Sequence, residues 1–323
     1  MKYLKTREFF LLFAWVFLIV LTGMITPNFL TIQGLRDLGT DVSILIILAL
    51  AQMPVLIVRG IDLSVASNLA FTGMVVALIA TVFPELPTIS WLLLALLVGS
   101  LIGMLNGFLI AYIQIPAIVV TLGTMSVWRG MIFIVSGGAW IVQNQFPKGY
   151  LDILRTQVLG MTLFTWIALL VAVIAFIIAQ YTKYGREIYG YGGNPLAAEY
   201  VGVPIKKRLF CVYTFSGLLA GLCGWLWTSR YAMANTDIAF GFELQTVAAC
   251  VIGGIAISGG KGGVIGCVLG AMFLGSLYNV LPIIGVNQFW QQALSGVIIL
   301  VAVLINQLKE KPAIHRILEV RES

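Results

Sequence analysis

The sequence is poor in charged residues and rich in hydrophobic ones. Of its 323 residues, 10% are Asp, Glu, Lys or Arg, whereas 60% are hydrophobic. Soluble globular domains carry roughly 25% charged residues, so this chain has too few to cover a surface that faces water. The composition therefore excludes a soluble domain and predicts an all-α polytopic membrane protein whose solvent is largely lipid.

Histidine and cysteine are too scarce and too scattered for the chemistry that uses them. His315 is the single histidine, and no HExxH or GxSxG pattern occurs. The four cysteines lie within apolar runs and lack CxxC spacing. We interpret them as small buried hydrophobic residues rather than metal ligands or disulfide partners; they are Cys211, Cys223, Cys250 and Cys267. We therefore expect no catalytic site and no metal site in this chain.

The glycine-rich stretch GGKGG at 259–263 is the nearest approach to a nucleotide-binding loop. A Walker A loop needs a glycine five residues before its Gly-Lys pair and Ser or Thr after the lysine. Ile255 and Gly262 stand at those two positions. We interpret the stretch as a turn between helices, and we expect no bound cofactor and no energy source in this chain.

Apolar runs of about 20 residues, the length that crosses a bilayer, predict about ten membrane spans in one transmembrane domain covering 1–323. The first apolar run is too long for a signal-peptide core, so we interpret it as an uncleaved helix. Pro54 interrupts the second run. The predicted spans lie near 9–26, 41–58, 65–83, 90–113, 117–135, 161–181, 209–228, 244–258 and 264–282, with a tenth ending near Asn306.

Cations are concentrated in alternate connections between these runs. Lys2, Lys5 and Arg7 precede the first span, Lys183 to Arg208 frame the segment 182–208, and further cations follow in the tail 307–323. The positive-inside rule places such segments in the cytoplasm. We therefore expect both termini and 182–208 inside, and the loops 137–159 and 229–243 outside.

The segment GGNPLAAEYVGVPIKKR, at 192–208, is polar where its surroundings are apolar. Asn194 suits a helix N-cap, Pro195 suits the first helical position, and Gly202 suits the helix end. The sequence thus predicts a short cytoplasmic helix that carries exposed apolar residues, namely Leu196, Tyr200 and Val201. Such residues indicate either a docking surface for another protein or a helix that lies on the lipid.

Three charged residues fall within or beside predicted spans and are therefore functional candidates. Asp62 lies in GIDLSVASN, where Gly60 permits a bend and Asp62 and Ser64 can cap the next helix. Such a broken or re-entrant segment either is a structural cap or lines a path through the membrane. The other two charges are Arg129 and Glu243. All three lie near span ends, where a position at the lipid interface is the alternative.

Glycines recur at four-residue spacing in two spans. Gly99, Gly103 and Gly107 share one helix face, as do Gly266 and Gly270. Small residues at this spacing let helices approach closely in lipid, and we expect helix packing at both places.

Five stretches of the chain occur together, in this order, in one known family. They are GIDLSVAS (60–67), IPAIVVTLGT (115–124), GREIYGYGGNPLAAEYVGV (185–203), FELQTVAACVIGGIAISGGKGGVIGCVLGA (242–271) and the closing SGVIILVAVLIN. With them the chain, over about residues 25–306, resembles the permease subunits of bacterial ATP-binding-cassette (ABC) importers for ribose, xylose, rhamnose, galactose and autoinducer-2. The stretch at 115–130, followed by GGAW, is most similar to the rhamnose and autoinducer-2 permeases.

The resemblance implies a translocation subunit of the bacterial inner membrane that moves a monosaccharide or related small polyol. It implies a second permease subunit (identical or paralogous), cytoplasmic ATPase subunits that bind ATP and Mg²⁺, and a periplasmic or lipid-anchored sugar-binding protein. The family motif corresponds here to Gly193, Asn194, Ala197, Ala198 and Gly202. The expected ATPase-coupling helix therefore comprises Gly193, Asn194, Pro195, Leu196, Ala197, Ala198, Glu199 and Gly202.

Polar residues of the matching stretches are the candidates for the translocation path. They are Asp62, Ser64, Asn68, Thr121, Thr124 and Glu243. Two other functions remain open. A self-contained secondary carrier or channel would move solute without ATP, and a membrane enzyme would need a catalytic constellation that the sequence does not show.

Overall fold

The computed structural model describes residues 2–287 together with Trp290, Ala293, Gly296, Val297 and Leu300. Between residues 2 and 287 the chain forms α-helices joined by short connections, with one two-stranded antiparallel sheet. The helices are α1 Lys2–Ile25, α2 Ile32–Ile57, α3 Val65–Val82, α4 Thr88–Ala111, α5 Ala117–Ser136, α6 Lys148–Arg155, α7 Leu163–Tyr181, α8 Lys183–Gly193, α9 Pro195–Tyr200, α10 Ile205–Tyr231, α11 Phe242–Ile252 and α12 Val264–Ile283; the strands are β1 Gln157–Val158 and β2 Met161–Thr162.

Eight of the described helices are long and apolar enough to cross a bilayer: α1, α2, α3, α4, α5, α7, α10 and α12. They confirm eight of the predicted spans and the all-α polytopic fold. The predicted span 244–258 differs, because α11 has only 11 residues. At 1.5 Å per residue it covers about 16 Å, roughly half of a bilayer core. The predicted tenth span and the tail 307–323 lie outside the described residues.

The second span is longer than the sequence predicted. Helix α2 begins at Ile32, where the Thr31 hydroxyl accepts a hydrogen bond from the Gly34 N–H group at 3.1 Å. It continues through Pro54 and ends at Ile57, so the predicted interruption at Pro54 is wrong. From Leu38 to Ile57 almost all residues of α2 are buried by neighbouring helices, and that burial shields the backbone around the proline from lipid.

Close backbone contact joins α4 to α10, and glycine makes this contact possible. A Cβ atom on Gly103 would lie 2.5 Å from the Tyr213 carbonyl oxygen and 2.9 Å from the Gly217 Cα atom. Gly99 meets Gly217 and Gly221 in the same way. The predicted role of these glycines in helix packing is confirmed, and it extends to α12, where Gly266 and Gly270 pack against the end of α11.

Short helices mark the two ends of the bundle. At one end, which we call the α6 end, the Thr88 hydroxyl donates to the Gly149 carbonyl at 3.3 Å, and the Tyr150 and Thr228 hydroxyl oxygens lie 2.7 Å apart. These contacts place α6 beside the start of α4 and the last turns of α10. Helices α8 and α9 connect the last residue of α7 to the first of α10, at the other end, which we call the α9 end.

Three cysteines are buried, as the sequence predicted, and one is not. Cys250 and Cys267 are free thiols with sulfur atoms 3.8 Å apart, and Cys223 is also buried. Cys211 is exposed, which corrects the prediction. It lines an apolar groove between α2, α7, α8 and α10.

Candidate functional site

Helix α9 forms through the capping residues that the sequence predicted. The Asn194 backbone is extended, and its side-chain oxygen accepts a hydrogen bond from the Ala197 N–H group at 3.1 Å. Pro195 occupies the first helical position. At the other end, Gly202 has a φ of 78°, a left-handed conformation that glycine adopts at little cost.

The outer face of α9 is apolar and exposed. Leu196, Tyr200 and Val201 are 67%, 88% and 79% exposed, whereas Ala198 is buried against the bundle. An open groove between α8 and α9 continues this face with charged residues, including Lys183. The residues predicted for the coupling helix lie on this surface, apart from Pro195, which is half-buried, and Ala198. Their role in coupling stays a prediction.

An ion pair fixes α8 to the start of α10. The Arg208 guanidinium donates to the Glu187 carboxylate and lies 4.1 Å from the centre of the Tyr184 ring. Lys183 approaches the same carboxylate at 3.7 Å. The hydrogen bond from Arg208 lowers the pKa of Glu187, so the pair is charged at neutral pH. Helix α9 therefore lies between the end of α8 and the start of α10, and this ion pair fixes the positions of those two helices.

Asp62 is the centre of a buried hydrogen-bond network at the α9 end. One carboxylate oxygen accepts from the Ser64 N–H group at 3.0 Å and from the Ser64 hydroxyl at 2.6 Å, and the other accepts from the Ser216 hydroxyl at 2.9 Å. Asn106 donates to the Ser64 hydroxyl at 2.8 Å. Asp62 and the three partners are almost completely buried. We call these four residues the Asp62 network.

The network changes two predictions for this segment. Ser64 is the N-cap residue of α3, but its side chain makes no capping bond: its hydroxyl donates to Asp62 and accepts from Asn106. The prediction that Ser64 caps α3 through its side chain is therefore wrong. The placement of Asp62 at a lipid interface is also wrong, because protein encloses its side chain on all sides.

Asn68 and the threonines of α5 continue the polar interior. Asn68 donates to the carbonyls of Gly99 and Gly217 at 3.2 and 3.3 Å, which ties α3 to the α4–α10 contact. Thr121 donates to the Ile61 carbonyl at 3.2 Å, and Thr124 donates within α5. Five of the six path candidates therefore lie together among α3, α4, α5 and α10, bonded to protein groups.

Glu243, the sixth path candidate, lies apart from the others in the first turn of α11. The nearby Arg129 side chain donates to the carbonyls of Ile238 and Ala239 at 2.6 and 3.2 Å, and its guanidinium lies 5.6 Å from the centre of the Phe240 ring. Arg129 thus holds the loop before α11 against α5, which is a structural role that the sequence did not predict.

Within the described residues, no three His, Cys, Asp or Glu side chains lie close enough together to hold a metal ion. The GGKGG stretch forms a turn before α12 and supplies a carbonyl, from Gly262, to the Tyr189 hydroxyl at 3.0 Å. The arrangement combines an exposed apolar surface on α9 with a buried polar network around Asp62.

Comparison with known proteins gives a consistent result over almost the whole chain. Residues 35–303 match the family described as branched-chain amino acid transport system / permease component. The chain is 33% identical over 313 residues to the autoinducer 2 import system permease protein LsrC of Escherichia coli (strain K12 / DH10B), which covers 97% of this chain and 90% of LsrC.

Two ribose permeases are similarly related. The ribose import permease protein RbsC of Escherichia coli (strain K12) is 34% identical over 303 residues, which cover 93% of each chain. RbsC of Haemophilus influenzae is 33% identical over 293 residues, which cover 90% of each chain. No solved structure matches the sequence.

Proposed function

Since the chain belongs to the branched-chain amino acid transport system permease component family, we propose that it is the membrane-spanning subunit of an ABC importer. Its substrate is a monosaccharide or related small polyol of the ribose, rhamnose or autoinducer-2 kind. The names of the relatives support this class, because they are import permeases for ribose and autoinducer 2. The chain itself does not hydrolyse ATP; a partner ATPase does.

The observation that carries this proposal is the exposed apolar face of α9. A helix of six residues is far too short to be stable alone in water, yet this one has an N-cap, a C-terminal glycine and three exposed apolar side chains. Exposed apolar residues that a protein holds in a rigid, capped helix indicate a binding partner. We assign that partner as the cytoplasmic ATPase, which docks on α9 and the α8–α9 groove.

The charges of the described residues support the orientation that this docking requires. At the α9 end Lys and Arg residues outnumber Asp and Glu residues, whereas at the α6 end the acidic residues are slightly more numerous. Cations accumulate on the cytoplasmic side of membrane proteins. We therefore place the α9 end and the N-terminus in the cytoplasm of the inner membrane, and the α6 end outside, where a substrate-binding protein delivers the solute.

The path for the solute lies between this chain and a second permease subunit, identical or paralogous. We retain as a proposal that Asp62, Ser64, Asn68, Thr121 and Thr124 contribute to this path at its cytoplasmic side and Glu243 at its outer side. The enclosed position of Asp62 requires that α3, α4 or α10 move before a solute could reach it. Movement of whole helices during the ATP cycle would supply that opening.

A reconstitution experiment distinguishes this proposal from a self-contained carrier. Proteoliposomes that contain the chain alone, or the chain with its ATPase and binding protein, are supplied with labelled ribose, rhamnose and autoinducer-2. We expect uptake only in the complete system and only with ATP. Uptake by the chain alone, driven by a proton or sodium gradient, would show that it is a secondary carrier.

A further inference from the structure

Helix α2 ends with an arginine in a backbone conformation that favours glycine. Arg59 has a φ of 64°. Its N–H group donates to the Leu56 carbonyl at 2.9 Å, and the Gly60 N–H group donates to the Val55 carbonyl at 2.9 Å. This pair of bonds defines a Schellman C-cap, with Arg59 as its left-handed residue. Helices α9 and α11 end with the same pair of bonds and have glycine at that position, namely Gly202 and Gly254.

The side chain of Arg59 gives a reason for an arginine at this strained position. Its Nε atom donates to the Gly192 carbonyl at 2.8 Å, and its Nη2 atom donates to the Gly193 carbonyl at 2.9 Å. Gly192 and Gly193 are the last residues of α8, where carbonyl groups have no partner within the helix and the helix dipole is negative. One guanidinium therefore caps α8 from a helix that is distant in sequence.

Backbone contacts also bring the turn before α12 against the ends of α2 and α8. The Gly260 N–H group donates to the Ile57 carbonyl at 2.9 Å. A Cβ atom on Gly192 would lie 2.6 Å from the Gly260 nitrogen, so the backbones of these two segments meet without side chains between them. We call this meeting of Arg59, Ile57, Gly192, Gly193 and Gly260 the Arg59 joint.

We propose that the Arg59 joint is the positioning element through which a displacement of α9 reaches α2 and α12. Helix α9 starts at Pro195, directly after the carbonyls that Arg59 holds. Ile57 ends α2, and the turn that contains Gly260 leads into α12 at Val264. The contacts of Gly260 with Ile57 and with Gly192 are between backbones, which have no rotamers that could absorb a displacement. The two guanidinium bonds keep the end of α8 in these contacts, so the joined segments move together. This inference rests on the proposed docking of an ATPase on α9.

A substitution of Arg59 by glycine tests the joint without straining the backbone. Arg59→Gly removes the guanidinium and suits the φ of 64°, so we expect the protein to fold. Gln114→Gly is the matched control, since Gln114 is exposed, has the same φ of 64° and lies at the α9 end in the α4–α5 connection. Arg59→Lys keeps the positive charge and one donor group. We expect its import per ATP hydrolysed to lie between that of the wild type and that of Arg59→Gly.

The measurement is the number of solute molecules imported per ATP hydrolysed in proteoliposomes that contain the complete importer. For Arg59→Gly we expect the ATPase to remain bound and solute-stimulated hydrolysis to continue, while import per ATP falls at least about fivefold, as for loss of one coupling interaction. Gln114→Gly keeps the wild-type ratio. An unchanged ratio in Arg59→Gly, or loss of ATPase binding in that variant, would overturn the proposal.

A second measurement uses the chain alone and does not depend on the ATPase. Hydrogen exchange of the Gly260 amide reports local opening of the joint. We expect exchange to be about tenfold faster in Arg59→Gly than in the wild type and unchanged in Gln114→Gly. Unchanged exchange in Arg59→Gly would overturn the proposal that Arg59 holds these segments together. A wild-type chain that binds no ATPase would contradict only the proposed function.

Discussion

Helix α9 and the Asp62 network lie at the same end of the bundle. The network buries polar groups and pairs them within the chain, whereas α9 exposes apolar groups that have no partner within the described part of the chain. Both carboxylate oxygens of Asp62 accept hydrogen bonds from this chain, and protein encloses them. The α9 helix instead directs Leu196, Tyr200 and Val201 outward. A charge in a membrane-spanning chain is a functional candidate by default. Here the more direct sign of function is an exposed apolar surface held on a capped helix.

This comparison predicts that substitutions in the enclosed region reduce stability, whereas substitutions on α9 weaken ATPase binding and leave stability almost unchanged. The largest effect is expected at the α4–α10 contact that closes the network. Gly103→Leu would force a side chain into the Tyr213 and Gly217 backbone, and such overpacking costs about 3 kcal/mol or more at a site that cannot relax. We expect little folded protein on size-exclusion chromatography after detergent extraction.

Gly123→Leu is the matched control for that experiment. Gly123 lies on α5, and a Cβ atom there meets no other atom within 4 Å. We expect a yield and a melting temperature of the isolated chain near those of the wild type. If Gly103→Leu also melts at the wild-type temperature, the description of a tight backbone contact is incorrect.

The next largest effect is expected for the loss of the Asp62 carboxylate. Asp62→Leu leaves the hydroxyl groups of Ser64 and Ser216 without their acceptor, and each buried unpaired group costs about 1–3 kcal/mol. Thermal unfolding of the purified protein measures the loss. A wild-type melting temperature in this variant would contradict the network.

Asp62→Asn separates a structural role from a role in the path. The amide keeps one acceptor oxygen and nearly the same volume, so we expect a folded protein that is less destabilised than Asp62→Leu. Normal solute uptake by this variant would assign Asp62 to structure alone. Loss of uptake in a folded variant would instead show that the carboxylate serves translocation.

Substitutions on α9 are expected to leave stability almost unchanged. Leu196→Ser combined with Tyr200→Ser changes exposed side chains only, and such surface changes usually lie within about 0.5 kcal/mol of the wild type. We expect a wild-type melting temperature but weakened ATPase binding in a pull-down of the detergent-solubilised complex. Leu159→Gly, at an exposed apolar residue of the β-turn near the α6 end, is the control. ATPase binding by the double variant that equals that of the wild type would show that α9 is not the docking site.

The smallest effect is expected for the Glu187–Arg208 pair. Because Arg208 lowers the pKa of Glu187 below its ordinary value of 4.5, the stabilisation is complete above that value and is lost as the pH falls through the lowered pKa. The melting-temperature difference between the wild type and Glu187→Gln should be constant from pH 7 to about pH 5 and shrink below about pH 4. A difference that stays constant on both sides of pH 4.5 would mean that the pKa of Glu187 is not lowered.

Much of the fold could be predicted from the sequence, because runs of apolar residues and glycine spacing are local signals. Eight spans, the packing role of the α4 glycines and the capped helix at Pro195–Tyr200 follow from such signals. The length of α11 was predicted wrongly: the glycines that end the helix, Gly253 and Gly254, are visible in the sequence, but apolar residues follow them and the span was extended through them. The continuation of α2 through Pro54 depends on tertiary burial, which a local pattern does not contain.

The candidate site was less predictable than the fold. Asp62, Ser64 and Asn68 were singled out as polar residues beside a span, but their partners Asn106 and Ser216 come from helices distant in sequence. Arg59 carried no signal at all, because the sequence position after an apolar run is ordinary for a cation at a membrane surface. Its left-handed backbone and its two bonds to α8 become visible only in three dimensions.

The central claim, that α9 is held for a protein partner rather than for lipid, is tested most directly by crosslinking. A photoreactive amino acid is placed at Tyr200, or at Phe240 near the α6 end as a control, since both side chains are largely exposed. In membranes that contain the complete importer, we predict that the Tyr200 probe crosslinks to the ATPase and that the Phe240 probe does not. Crosslinks from the Tyr200 probe to phospholipid, without any to the ATPase, would contradict the claim.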